Sequence, residues 1–179
     1  MGVPDIEPLP PSAADDVALI ARITDLVNQV YAEAEKGLWE ENTDRTSTAE
    51  MAGLVRAGEI AVARVDGDLA GSVRLRRLDE STGEFGMLAA DPAQRGIGIG
   101  RELVRFAERA SRDAGCPEMQ LELLVPREWT HPSKVFLAEW YGRLGYRVTH
   151  HVDLAEDYPH LAPALATPCD LFVYRKELG

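Results

Sequence analysis

The sequence predicts an α/β fold: a mixed sheet carrying helices on both faces. Three observations lead there. The first 35 residues hold an apolar stripe at helical spacing, and residues 60–90 hold three consecutive strand-like runs joined by short turns. Beyond Ala90 the pattern alternates strand and helix to the end of the chain, in the order helix, strand, helix, strand, strand.

At the N-terminus, Val3–Leu9 reads as a short strand whose prolines confine it to a sheet edge. Ser12-Ala-Ala-Asp15 resembles a loose capping box, and the helix runs from about Asp15 to Glu35. Its apolar face is Val17, Ile20, Ala21, Thr24, Val27, Asn28 and Tyr31, widened by Leu19, Ile23, Leu26 and Val30. Gly37–Thr46 is a connector. Ser47-Thr-Ala-Glu50 is a capping box opening a helix over Thr48–Ala57, and Gly58 ends it.

Ile60–Val65 is a strand, and Asp66-Gly67 marks a two-residue hairpin turn. Leu69–Leu78 follows, with Leu69, Val73 and Leu75 on one face and Ser72, Arg74 and Arg76 on the other. After a turn over Asp79–Gly83, Glu84–Ala90 completes the meander. Gly98–Ala114 is a helix with a stripe of Ile99, Leu103, Phe106, Ala107, Ala110 and Ala114, stopped by Gly115. Met119–Val125, Tyr146–Asp153 and Cys169–Lys176 are strands, Ser133–Leu144 is a helix, and Ala155–Pro168 reads as a loop.

Composition bounds the function. A length of 179 residues, with 45% hydrophobic and 27% charged residues, predicts one domain over 1–179 with a full core. The formal net charge of -11 argues against nucleic acid as a partner, because a duplex binder needs a basic stripe. Cys116 and Cys169 have no metal or CxxC spacing, which suits a reduced, cytoplasmic protein. His150 and His151 point to opposite faces of a strand, so no metal is expected. Met1–Pro11 lacks a basic region followed by an apolar run, and no stretch is apolar enough to span a membrane.

The chemistry concentrates in Gln94-Arg95-Gly96-Ile97-Gly98-Ile99-Gly100-Arg101, between a strand and an amphipathic helix. Glycines let backbone N–H groups converge on one anion, and the helix start adds unpaired donors. Arg95 and Arg101 can add charge, so a phosphate or pyrophosphate is the expected guest. The alternative is a tight turn that needs glycine for geometry alone. No Gly-Lys-Ser/Thr follows, so this is no nucleotide P-loop. The dinucleotide pattern fails too, since its last glycine would fall on Arg101 or Leu103.

Arg95-x-x-Gly98-x-Gly100 resembles the signature R/Q-x-x-G-x-G/A of the GNAT superfamily of N-acetyltransferases. Leu88-Ala89-Ala90-Asp91-Pro92 is similar to that family's fourth strand and its exit. Trp140-Tyr141-Gly142-Arg143-Leu144-Gly145-Tyr146 resembles its second signature, an aromatic-Tyr-x-x-x-Gly-Phe/Tyr segment. The resemblance covers about Ile60 to Val152.

It implies a mostly antiparallel sheet with a V-shaped opening between the fourth and fifth strands, Glu84–Ala90 and Met119–Val125, where acetyl-CoA lies. The pyrophosphate would rest on the amides of Gly96, Ile97, Gly98, Gly100 and Arg101. Main-chain groups of Leu88, Ala89 and Ala90 would pair with pantetheine, and one N–H would polarise the thioester carbonyl. Tyr141 would be the general acid for the departing thiolate; the alternative is a core aromatic. Glu84 falls where many relatives carry an acidic residue that relays the amine proton, though it also suits an exposed strand start. His131 is a weaker candidate for that role.

One departure is Val135, where many relatives place a pantetheine-contacting Asn. Ser133 either substitutes for it or caps its helix. The acceptor is an amine, and its pocket is expected from the first two helices, Trp39, Glu40, Glu41, Trp129 and the loop Tyr158–Pro168. The resemblance leaves open an enzyme, with a homodimer allowed, and a catalytically silent acyl-CoA-binding sensor. An unrelated nucleotide binder would explain the glycine turn but not the second motif.

Overall fold

A computed structural model describes residues 2–179. Seven strands form one sheet: β1 (Asp5–Pro8), β2 (Ile60–Val65), β3 (Asp68–Arg77), β4 (Thr82–Ala90), β5 (Glu118–Pro126), β6 (Arg147–Asp153) and β7 (Cys169–Glu177). Their order is β1-β2-β3-β4-β5-β7-β6, with β1 at an edge as its prolines require. Every neighbouring pair is antiparallel except β4 and β5, which are parallel. The helices are α1 (Val17–Ala34), α2 (Thr48–Arg56), α3 (Ile99–Asp113), α4 (Pro132–Arg143) and α5 (Leu154–Asp157).

Both sheet faces are covered, and β2 shows how. Ile60 and Val62 pack with residues of α1 and α2, whereas Ala61 and Ala63 pack with residues of α3. The period of two therefore separates two cores rather than a core from solvent. A third cluster, Leu38, Leu124, Leu154, Cys169 and Leu171, sits beneath the segment 158–168.

Local signals act as read at several joints. The Ser47 hydroxyl accepts from the Glu50 N–H at 3.1 Å and starts α2. Asp66 (φ 52) and Gly67 (φ 87) form the left-handed pair that a tight hairpin needs.

Four expectations are corrected. Ser12 does not cap α1; prolines at 10 and 11 wind Pro11–Asp15 into a 3-10 turn, and Asp16 accepts from the Leu19 N–H at 3.0 Å instead. Val17 thereby falls in the exposed first turn, at 80% exposure. Leu69 does not share a face with Val73 and Leu75, because the β2–β3 register skips Ala70: Ala63 faces Gly71 and Arg64 faces Leu69. Ala114, one residue beyond α3, is exposed rather than part of the stripe. The segment Ala155–Pro168 is partly ordered, by α5 and a 3-10 turn at Ala162–Ala164.

Candidate active site

The site starts from a seam. β4 and β5 pair only over Thr82–Glu84 and Glu118–Gln120. Beyond that point β4 keeps β3 as its partner to Ala90, and β5 keeps β7 to Pro126. The inner edges, Phe85–Ala90 and Leu121–Pro126, separate into a V. Within it β4 bulges: Arg74 faces Gly86 but Ser72 faces Ala89, so three β4 steps oppose two on β3. Met87 takes the strained φ of 47 inside that bulge. Gly86 leaves the cleft open at this point, since a Cβ there would meet no atom within 4 Å.

The V opens into a cleft of about 620 Å³. Phe85, Gly86, Met87 and Leu88 line one wall, and Leu121 to Leu124 line the other. Of the three predicted pantetheine residues, Leu88 lines the cleft by itself. Ala89 is fully buried and Ala90 half-buried, so these two offer mainly backbone. An extended ligand carrying amides fits such a seam, because unpaired strand edges need hydrogen-bonding partners.

The glycine turn lies outside this cleft, at the surface where α3 begins. Asp91 accepts from the Ala93 N–H at 2.9 Å and holds the short 3-10 turn Pro92–Gln94. Gly96 (φ 90) and Gly98 (φ 79) are both left-handed, a conformation natural to glycine. No side chain caps α3 at Gly98, and a Cβ at Gly96 or Gly98 would meet nothing within 4 Å. Ile97 is half-buried, and Arg95 and Arg101 are exposed. Open space, uncapped amides and two cations suit a diphosphate. Gly100 faces α4: a Cβ there would lie 3.5 Å from the Trp140 ring.

Tyr141 reaches the V from α4 and is 6% exposed. Phe85, Trp140, Tyr146 and Tyr174 surround its ring at centroid distances of 6.1, 5.0, 6.2 and 6.3 Å. Its hydroxyl makes no hydrogen bond among the described residues, and burial pushes its pKa well above the ordinary phenol value. Neighbouring Tyr146 differs: its hydroxyl donates to Glu108 Oε1 at 2.9 Å and is committed to the core. The aromatic pair in the second motif thus divides into one free phenol and one bound phenol.

Glu84 sits where β4 and β5 part, and it is buried rather than exposed, at 9%. Arg76 donates to Oε1 through Nε at 2.8 Å, and Gln120 donates to Oε2 at 2.9 Å. His131 is an anchor of α4. Its Nδ1 accepts from the Ser133 N–H at 3.2 Å, which leaves Nε2 to donate to the Lys36 carbonyl at 3.0 Å. His131, not Ser133, is therefore the N-cap of α4. Val135 is 44% exposed and lines a separate depression with Trp129.

The rest of the cleft is walled by α1, the connector and the late segment, without α2. Trp39 pairs with Leu165, and Glu40 N–H donates to the Ala164 carbonyl at 2.8 Å, roofing the cleft. Trp39, Glu40, Tyr158, Leu161 and Ala164 line it as expected, whereas Glu41 and Trp129 do not.

Three functional-looking groups had escaped sequence reasoning. Tyr31 comes from α1 beside the Leu88 backbone; burial pushes its pKa up to about 12 against the pull of Arg45. Glu35 and Lys134 form a buried ion pair at 2.6 Å in the wall. Glu122 lines the cleft from β5, and burial and then the Glu84 charge raise its pKa. The last was detectable: Gln120 and Glu122 alternate with leucines on a central strand, a polar stripe where packing alone wants none.

A sheet whose one parallel pair splays beside an open glycine turn, with an unbonded phenol lining the gap, has the shape and the backbone donors that an extended diphosphate ligand needs. Residues 23–146 match the Acetyltransferase (GNAT) family, and the chain belongs to that family and is an acyltransferase. No curated protein sequence matches it. Solved structures share the fold. A PaiA N-acetyltransferase from Thermoplasma acidophilum, in complex with coenzyme A, superposes with TM-score 0.69 at 16% identity, covering 97% of this chain and 98% of that one. Ard1 from Thermoplasma volcanium gives 0.67 at 15% identity over 98% and 97%. The Salmonella typhimurium protein yncA, with acetyl-CoA, gives 0.66 at 17% identity over 98% and 94%.

No described helix is long and apolar enough to cross a membrane.

Proposed function

We propose that this chain, acting as one domain over residues 1–179, transfers the acetyl group of acetyl-CoA directly to a primary amine. The unpaired β4–β5 seam with the unbonded Tyr141 hydroxyl inside it carries the reading. Acetyl-CoA supplies an activated thioester. The backbone edge at Leu88, Ala89 and Ala90 binds the pantetheine arm and orients one N–H at the thioester carbonyl, where negative charge develops. The amides of Gly96, Ile97, Gly98, Gly100 and Arg101 hold the pyrophosphate, with Arg95 and Arg101 adding charge. Tyr141 gives its proton to sulfur as the C–S bond breaks, and its raised pKa keeps it protonated until then. Two buried free cysteines favour a reducing, cytoplasmic setting.

The test is paired. Wild-type protein should release CoA from acetyl-CoA only when an amine is supplied. Gly98→Asp places a side chain and a negative charge at the anion site, so calorimetry should show acetyl-CoA affinity falling sharply while circular dichroism stays near wild type. Unchanged affinity in the folded variant would remove the pyrophosphate from this turn.

A further inference from the structure

Amine acetylation needs a group that takes a proton from an ammonium, because the neutral amine is the nucleophile. We propose that Glu122 is that group and that Tyr158, reaching it from the late segment, tunes it. This rests on the amine-acetylation reading above.

Position comes first. Glu122 lies two residues past Gln120, the last β5 residue paired with β4, on the same face of the strand. It is thus the first side chain on that face inside the V. The matching step on β4 is Gly86, which has no side chain and opens onto free space. An amine entering the gap has room on the β4 side and a carboxylate on the β5 side. The Met87 bulge and Leu88 follow immediately, where the thioester would lie.

Availability comes second. Glu84 is the other carboxylate at this point, but both its oxygens are taken, by Arg76 and Gln120. Glu122 accepts one hydrogen bond, from the Tyr158 hydroxyl to Oε2 at 3.1 Å. Glu84 is then a positioning residue: its charge faces Glu122 and helps hold the Arg76 guanidinium.

The charged neighbours set the proton affinity. Burial and Glu84 raise the pKa of Glu122, Tyr158 and Arg76 draw it down, and Asp157 raises it again. A carboxylate lifted toward neutrality accepts a proton more readily than an ordinary one.

The steps balance. Glu122 takes one proton from the ammonium, and the C–N bond forms. The C–S bond breaks, and the Tyr141 proton goes to sulfur. The second proton leaving nitrogen restores Tyr141, and Glu122 returns its proton to solvent.

The test has two arms. In the free protein, carbon-detected NMR titration should place Glu122 above the ordinary carboxylate range. Tyr158→Phe should move it higher, since the phenol stabilises the ionised form. In turnover with tyramine, spermidine and glucosamine as acceptors, wild-type kcat/KM should fall as pH drops through that same value. Glu122→Gln should lower kcat/KM by ~10²–10⁴-fold and abolish that limb, with acetyl-CoA affinity retained. Tyr158→Phe should shift the limb to higher pH, and Glu84→Gln should keep a limb. An ordinary Glu122 titration, or a wild-type rate and limb in Glu122→Gln, overturns the role of Glu122 alone. Wild-type protein that binds acetyl-CoA yet releases no CoA with any of these amines overturns the transfer reading and this role with it.

Discussion

Lys134 and Glu35 are 5% and 7% exposed, and they join α4 to the end of α1 across the cleft. Glu35 also accepts from the Trp39 indole N–H at 3.1 Å, so its carboxylate is fully used. Removing one partner strands the other charge away from water. Lys134→Met should therefore cost about 3–5 kcal/mol in urea unfolding. The double variant Lys134→Met with Glu35→Gln, which leaves Trp39 an acceptor and no stranded charge, should recover much of that. A single variant as stable as wild type would mean that the pair contributes little. Residues of this kind are hard to read from sequence because the partners lie 99 positions apart. Tyr31 illustrates the same difficulty: it looks ordinary on its own helix, and the fold alone gives it a cleft. The place of Tyr141 on α4 and the left-handed glycines before α3 were legible because they are local, set by a motif and by backbone angles.

Among the elements, α3 matters most to the proposed pyrophosphate site, since the glycine turn rides on its first residue. Its seat is tight. A Cβ added at Gly71 on β3 would lie 2.8 Å from Ile99 Cγ2, 2.9 Å from the Ala89 carbonyl and 3.0 Å from Leu103 Cδ1. Gly71→Ala should push α3 outward, cost about 1–3 kcal/mol and weaken acetyl-CoA binding, as calorimetry on the folded variant would show. Wild-type affinity there would mean that the turn is held independently of the helix. Most elements were legible because their signals are local: the Ser47 cap, the Asp66-Gly67 turn and the amphipathic stripe of α3. The misplaced Leu69 has a clear physical cause. The bulges at Ala70 and Met87 change which face a side chain meets without changing composition, so alternation placed Leu69 on the wrong core. The splay of β4 from β5 follows from pairing and bulging together, and only the family resemblance anticipated it.

Across the whole molecule, the sheet is continuous except at one seam, and helices from opposite faces meet there. Tyr31 arrives with α1 and Tyr141 with α4, and the two phenols lie near enough that charge on Tyr31 raises the pKa of Tyr141. β7 inserts between β5 and β6, giving β5 an antiparallel partner over its full length and freeing its other edge for the V. The chain thus stays a cooperative sheet while leaving one stretch of backbone for a ligand. In the proposed reaction, acetyl transfer happens in this seam with Tyr141 as the proton donor. Single-turnover acetylation by Tyr141→Phe tests it most directly, because slow product release cannot mask the chemical step. The hydroxyl has no hydrogen-bond partner among the described residues, so its loss should leave the fold and acetyl-CoA affinity close to wild type. The rate should drop by ~10²–10⁴-fold. A wild-type single-turnover rate in Tyr141→Phe would contradict this role and leave Tyr141 as a packing residue.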